Sequence, residues 1–122
     1  MTNKARALEI HDLLIQGQLL EAFDKFYHED VVIEEPRGTW KGKVACRKHE
    51  VEFLAQVKEF HGIEVINYAS NETTGVVFIE TKMDVTFQDG NRVQMEQISR
   101  QKWKHGQVFN ERFYYNNAPP AA

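Results

Sequence analysis

Apolar residues recur at helical spacing in the first half of the chain and at alternate positions in the second, which predicts a segregated α+β fold rather than alternating βαβ units. Ala7, Ile10 and Leu14 mark one face of a first helix, and Gly17 can stop it by taking the left-handed conformation. Leu19, Phe23, Phe26 and Tyr27 stripe a short second helix. Asp30 then opens an extended run, "DVVIEE", closed by Pro36 because proline supplies no ladder donor. Gly38 and Gly42 bracket a turn around Trp40. From Val44 to Phe60 the helical spacing returns, with Val44, Val51, Leu54 and Ala55 on one side and Gly62 just past the end. The rest alternates: a strand over Ile63–Tyr68, a loop "SNETTG", a long strand over Val76–Phe87, a hairpin turn at Asp89-Gly90, a return strand over Arg92–Lys104, a turn at "KHG" and a last strand over Gln107–Tyr115.

Strand parity then sorts side chains into faces. Val77, Ile79, Thr81, Met83, Val85 and Phe87 form an apolar, interior face, opposite Glu80, Lys82 and Asp84. On the hairpin partner the matching face reads Val93, Met95, Gln97, Ser99, Gln101 and Trp103. Three consecutive polar positions in a dry core would be costly, so they are read as lining a cavity that holds water or a ligand. Phe109, Phe113 and Tyr115 point the same way on the last strand and take Glu111 with them. Val31 and Ile33 likewise carry Glu35 inward. A carboxyl in a partly apolar pocket loses solvation, and its pKa rises into the range useful for general acid–base work. The competing reading makes both glutamates structural, paired with Arg100, Arg112 or nearby tyrosine donors.

A length of 122 residues sets one domain, taken as 1–116, with 117–122 of "NNAPPAA" a loose tail that has nothing to bury. A hydrophobic share of 42%, a charged share of 27% and a net charge of −3 argue against nucleic acid or an anionic membrane as partner. No apolar run is long enough to span a bilayer, and "MTNKARALEI" does not read as a signal peptide, so a cytoplasmic location is expected. Cys46 has no second cysteine to pair with; Arg47 and Lys48 beside it would favour a thiolate, but a small buried helix residue is the simpler reading. "HEVEF" at His49 lacks the second histidine one turn on that a zinc helix needs, and no phosphate loop, dinucleotide fingerprint or serine elbow is present. No metal and no cofactor are expected.

Three helices, then a strand ending in an acidic pair and proline, then a curved meander resemble the nuclear transport factor 2-like superfamily, and within it the small SnoaL-like proteins. The resemblance is carried by "LLIQGQLLEAFDKFYHEDVVIEEP", by "GKVAC" at the entry to the third helix and by "WKHGQVFNERFYYN". It implies three helices over a strongly curved, mixed but mostly antiparallel sheet, a cone-shaped half-barrel with a pocket inside. In ketosteroid isomerase, a member of this superfamily, the catalytic base is the second acid before the proline, which matches Glu35. Its oxyanion-hole tyrosine falls on Ile10 and its protonated aspartate near Ser99, so steroid isomerisation is not implied. Dehydratases of the superfamily use histidine with aspartate and tyrosine, which brings in His28, next to Tyr27, as a third candidate beside Glu35 and Glu111. His11, His61 and His105 fall at turns or polar faces. The resemblance also implies a homodimer through the outer sheet face, which here carries Gln94, Glu96, Ile98 and Arg100.

Two functions follow. One is cofactor-free isomerase, dehydratase or cyclase chemistry, with Glu35 moving a proton on a small, largely apolar metabolite. Tyr27, Trp40, Met83, Trp103, Phe113 and Tyr115 would hold it, and Gln97 and Ser99 would orient its oxygen. The other is a non-catalytic ligand-binding or dimerisation module built on the same pocket.

Overall fold

The computed structural model describes residues 2–116, so the tail expected at 117–122 lies outside the described residues. Helix α1 (Asn3–Ile15) begins where the Thr2 hydroxyl accepts from the Ala5 N–H at 3.0 Å. It ends in a Schellman arrangement: Gly17, at φ 76°, donates to the Leu14 carbonyl and Gln18 donates to that of Leu13. Helix α2 (Leu19–Phe26) passes directly into strand β1 (Tyr27–Glu35). Strand β2 (Gly38–Lys41), helix α3 (Lys43–Gln56) and strands β3 (Val57–Asn71), β4 (Val76–Phe87), β5 (Arg92–Lys104) and β6 (Gln107–Tyr114) follow.

Six strands form one open sheet in the order β2-β1-β6-β5-β4-β3. All pairings are antiparallel except β1 with β6, which is parallel. The chain's last strand therefore inserts between its first strand and the β3–β4–β5 meander, and it brings Glu111 level with Ile33 on one side and Gln101 on the other. Helix α1 packs on β3 and β4, α3 on β1 and β2, and α2 bridges α1 and α3. Val77, Ile79, Thr81, Met83 and Val85 are all buried, as their parity requires. Val77 and Ile79 join Val31, Ile33, Val108, Phe23 and Phe26 in the core, where Phe26 meets Trp103 edge-on at 5.8 Å.

Several local expectations are corrected. The helix expected to reach Phe60 ends at Gln56, and Gly62 lies inside β3, at a bulge, rather than capping the helix. Ladder bonds to β4 win over a helical propensity that is only local. The expected inward face of that helix is its outer one: Val44 is 87% exposed, and Val51 and Leu54 are also exposed. Trp40 stands in edge strand β2, paired antiparallel with β1, not in a turn. Tyr27 opens β1 instead of closing α2. Phe109 points outward, because a register shift between Lys102 and Trp103 places Val108, fully buried, opposite that tryptophan and leaves Phe109 as the extra residue. Beyond the bulge the parity is restored, and Glu111 faces inward.

Gly75 shows how closely the β4–β5 edge is built. Trp103 N–H donates to the Gly75 carbonyl at 2.8 Å, and a Cβ on Gly75 would lie 2.5 Å from the Trp103 oxygen. Gly17 has the same φ of 76° with nothing within 4 Å of that position. Gly17→Ala is expected to cost about 1 kcal/mol, the left-handed penalty alone, while Gly75→Ala costs at least about 2 kcal/mol more. Urea melts of the two variants read the difference, and equal losses would show that the edge yields freely.

Candidate functional site

Between the helices and the concave face of the sheet lies a cavity of about 1090 Å³. Its apolar wall includes Ile10, Phe23, Phe53, Met83 and Phe113, and its polar wall includes Glu35, Glu50, Gln97, Ser99, Gln101 and Glu111. The three polar positions in a row on β5 thus all border open space.

At the end of β1 the acidic pair divides. Glu34 turns to the outer face, where Arg100 lies 3.6 Å away and Asn110 donates to it. Glu35, one residue on, turns into the cavity, where each carboxylate oxygen has a donor. Tyr115 O–H donates to Oε1 at 3.0 Å and His49 Nε2 donates to Oε2 at 3.1 Å. The His49 ring stacks on Trp40 at 3.7 Å, so Trp40 acts from behind the histidine and does not line the cavity. Burial, then the Glu35 carboxylate, push the Tyr115 phenol up to about 12, which keeps it a donor.

Glu111 is almost wholly buried and held by a chain of neutral donors. Tyr27 O–H donates to Oε1, Gln101 Nε2 donates to Oε2 at 2.9 Å, and Trp103 Nε1 donates to the Gln101 oxygen at 3.0 Å. Burial raises the Glu111 pKa, against those hydrogen bonds, which favour the carboxylate; the nearby Glu35 charge raises it further. Tyr27 lines the cavity, and burial followed by the Glu111 charge lifts its pKa well above the ordinary phenol. The Ser99 hydroxyl weakly favours the ionised Glu111 without reaching hydrogen-bond geometry, and its oxygen is buried without a partner.

Helix α3 supplies what parity arguments could not. Cys46, His49, Glu50 and Phe53, spaced i, i+3, i+4, i+7, form its inward stripe, and the last three line the cavity. Burial, then the Glu111 and Glu35 carboxylates, push Glu50 up to about 8, so it is a neutral acid at pH 7. A Glu and a His on a helix read as solvated surface in sequence; the signal that could have found them is their shared register with Cys46.

The remaining candidates separate clearly. Met83, Phe113, Tyr115, Gln97 and Ser99 line the cavity. Trp103 sits behind it in the core, because its ring is taken up by Phe26 and Gln101. His28 is partly exposed outside the lining, and its Nδ1 accepts from the Asp30 N–H at 2.9 Å, so it does not join the two glutamates. His11, expected at a polar position, is instead buried on the cavity wall; its Nδ1 donates to the Ala7 carbonyl and burial lowers its pKa. Burial raises the Cys46 thiol to about 11, which leaves it a packing group. Among the described residues no group of three or more His, Cys, Asp and Glu could hold a metal ion, and no helix is long and apolar enough to cross a membrane.

A family model described as the SnoaL-like domain matches residues 1–115. The structure superposes with a TM-score of 0.80 on a Mesorhizobium loti protein assigned as a SnoaL-like polyketide cyclase, 30% identical, over 94% of this chain and 100% of that one. An assigned isomerase of Bacillus subtilis gives a TM-score of 0.81 at 16% identity, over 95% and 90% of the two chains. A nuclear transport factor 2-like protein of unknown function from Burkholderia pseudomallei gives 0.81 at 11% identity, over 93% and 90%. These last two carry the fold alone. No curated protein matches the chain.

The two buried acids should respond oppositely to removal. Glu50 has a native pKa of about 8 against an ordinary value of 4.5, so the native state keeps a proton that the unfolded chain releases between those values. Stability falls as pH rises through that window, and the penalty is complete above about pH 8. Glu50→Gln is expected to stabilise the fold by about 2–4 kcal/mol at about pH 9 and to change little at about pH 4. Glu111→Ala strands the Tyr27 and Gln101 donors and is expected to cost about 3 kcal/mol. Urea melts across pH check both, and a Glu50→Gln gain independent of pH would contradict the assigned titration.

Proposed function

Because the chain belongs to the SnoaL-like domain family, which its match over residues 1–115 shows, we propose that it binds a small, largely apolar metabolite in the cavity and that Glu35 moves a proton on it without a cofactor. The observation that carries this reading is the setting of Glu35: a carboxylate on the wall of a large, mainly carbon-lined cavity, oriented by His49 and Tyr115. Those two donors hold the carboxylate at one angle while leaving it lone pairs for a substrate proton. His49 holds Oε2 through its Nε2 proton, and stacking on Trp40 fixes the plane of the imidazole. Glu50, neutral at pH 7, is suited to return a proton at another atom of the same ligand. Isomerisation, dehydration and aldol-type cyclisation all need such a pair of transfers. The neighbour from Mesorhizobium loti, assigned as a cyclase, is compatible with that range.

The reading includes a homodimer. Phe78, Ile98 and Tyr114 are each more than two-fifths exposed, and Ile98 and Tyr114 lie opposite one another on β5 and β6. This outer face is less polar than Gln94, Glu96 and Arg100 alone suggest. Light scattering is expected to give twice the chain mass for the wild type and a single chain for Ile98→Glu; a wild-type monomer at micromolar concentration rules the dimer out.

A thermal-shift screen against a metabolite library, run on wild type and Glu35→Gln, tests the activity. Both proteins are expected to bind the same ligand, with turnover lower by about 10²–10⁴-fold in the variant. Binding by both with no conversion by either would leave a binding module.

A further inference from the structure

We infer that the ligand of this cavity is an apolar molecule bearing one ammonium group, whose nitrogen sits among Glu35, Glu50, Glu111 and the Ser99 hydroxyl. This deepens the reading above and rests on it.

The argument starts from a charge imbalance. Three glutamates from three different elements, β1, α3 and β6, converge on one cavity and feel one another's charge. Glu52, Asp89 and Glu96 add further acid to its lining, yet the lining contains no lysine and a single arginine, Arg37, which is exposed. His49 is committed to Glu35, and burial holds His11 toward its neutral form. Neutral donors satisfy Glu111, but among the described residues no hydrogen bond or ion pair holds the Glu50 carboxyl. Glu50 therefore keeps its proton while the cavity holds no cation, and a bound cation would favour its ionised form.

A second observation is independent of charge. The Ser99 oxygen is buried, lines the cavity and has no hydrogen-bond partner among the described residues. An N–H bond of a bound ammonium would satisfy it. A bare metal ion does not fit, because no set of three donors among the described residues is grouped to hold one. A larger organic cation can reach the carboxyls without being coordinated by them. The same lining suits its carbon part and its charge together, since Phe23, Phe53 and Phe113 all border the cavity and Phe113 stands beside Ser99 in the β5–β6 ladder. An anionic ligand would add a like charge beside the Glu35 carboxylate and would oppose ionisation of Glu50 and Glu111.

Calorimetric titration with benzylamine, benzyl alcohol and benzoate tests this at about pH 8.5, above the value of about 8 at which Glu50 ionises. Benzylamine is expected to bind at least about tenfold more tightly than the alcohol, and benzoate most weakly. Glu50→Gln, a variant expected to fold at least as well as wild type, should remove most of the amine's advantage and leave the alcohol unchanged. Ser99→Ala should weaken the amine by a smaller factor. Alcohol or benzoate binding as tightly as the amine overturns the ammonium assignment and leaves the pocket itself standing. If none of the three binds, the hits of the metabolite screen decide: neutral or anionic hits overturn the assignment, and an absence of hits overturns the pocket reading with it.

Discussion

The insertion of β6 between β1 and β5 is the constraint on which the rest of the structure depends. It is the one parallel pairing in the sheet, and it joins residues about eighty positions apart. Without it the β3–β4–β5 meander and the N-terminal strand would be separate pieces. With it, Glu111 is held between Ile33 and Gln101 with its side chain turned to the buried, concave face of the sheet. The buried carboxyl must then be satisfied locally. Tyr27, Gln101 and, one step removed, Trp103 do this, so a polar chain ties the start of β1 to β5 and β6.

That arrangement divides the interior into two regions. On one side Phe26, Trp103, Val77 and Val108 close into a dry core. On the other, the helices stand over polar positions and leave the cavity. Helix α3 is decisive, because it turns a mixed face inward and leaves Val44, Val51 and Leu54 outside. A helix that buried those three residues would have packed onto the sheet and filled the space. The fold instead keeps a neutral acid, Glu50, at a site where its charge is disfavoured. Such unfavourable placements are where function is expected to sit.

Two assemblies of hydrogen bonds share the cavity wall and differ in kind. The Glu111 assembly is deep, with a neutral donor on each carboxyl oxygen. The Glu35 assembly is shallower: its carboxylate is oriented by His49 and Tyr115 yet keeps acceptor capacity toward the open space. Glu50 lines the same cavity, as does the Ser99 hydroxyl, which has no hydrogen-bond partner among the described residues. Proteins that share this fold differ in the side chains they place at these few positions, and the fold alone does not set their chemistry.

Much of this was legible in the linear chain. The α+β division, the β4–β5 hairpin at Asp89-Gly90 and the inward direction of Glu35, Gln97, Ser99 and Glu111 follow from local rules, since strand parity is a property of the backbone alone. Parity fails only where a bulge intervenes, as at Phe109. What the tertiary structure decided is which face of a helix meets the sheet. A helix offers several stripes, and for α3 the apolar stripe lost to one carrying Cys46, His49, Glu50 and Phe53, because the chain enters it from β2 at a fixed angle and leaves it into β3. Depth was decided there too. Trp40 and Trp103 both point toward the cavity region in sequence, yet one lies behind His49 and the other behind Gln101, since proximity to open space depends on what packs in front.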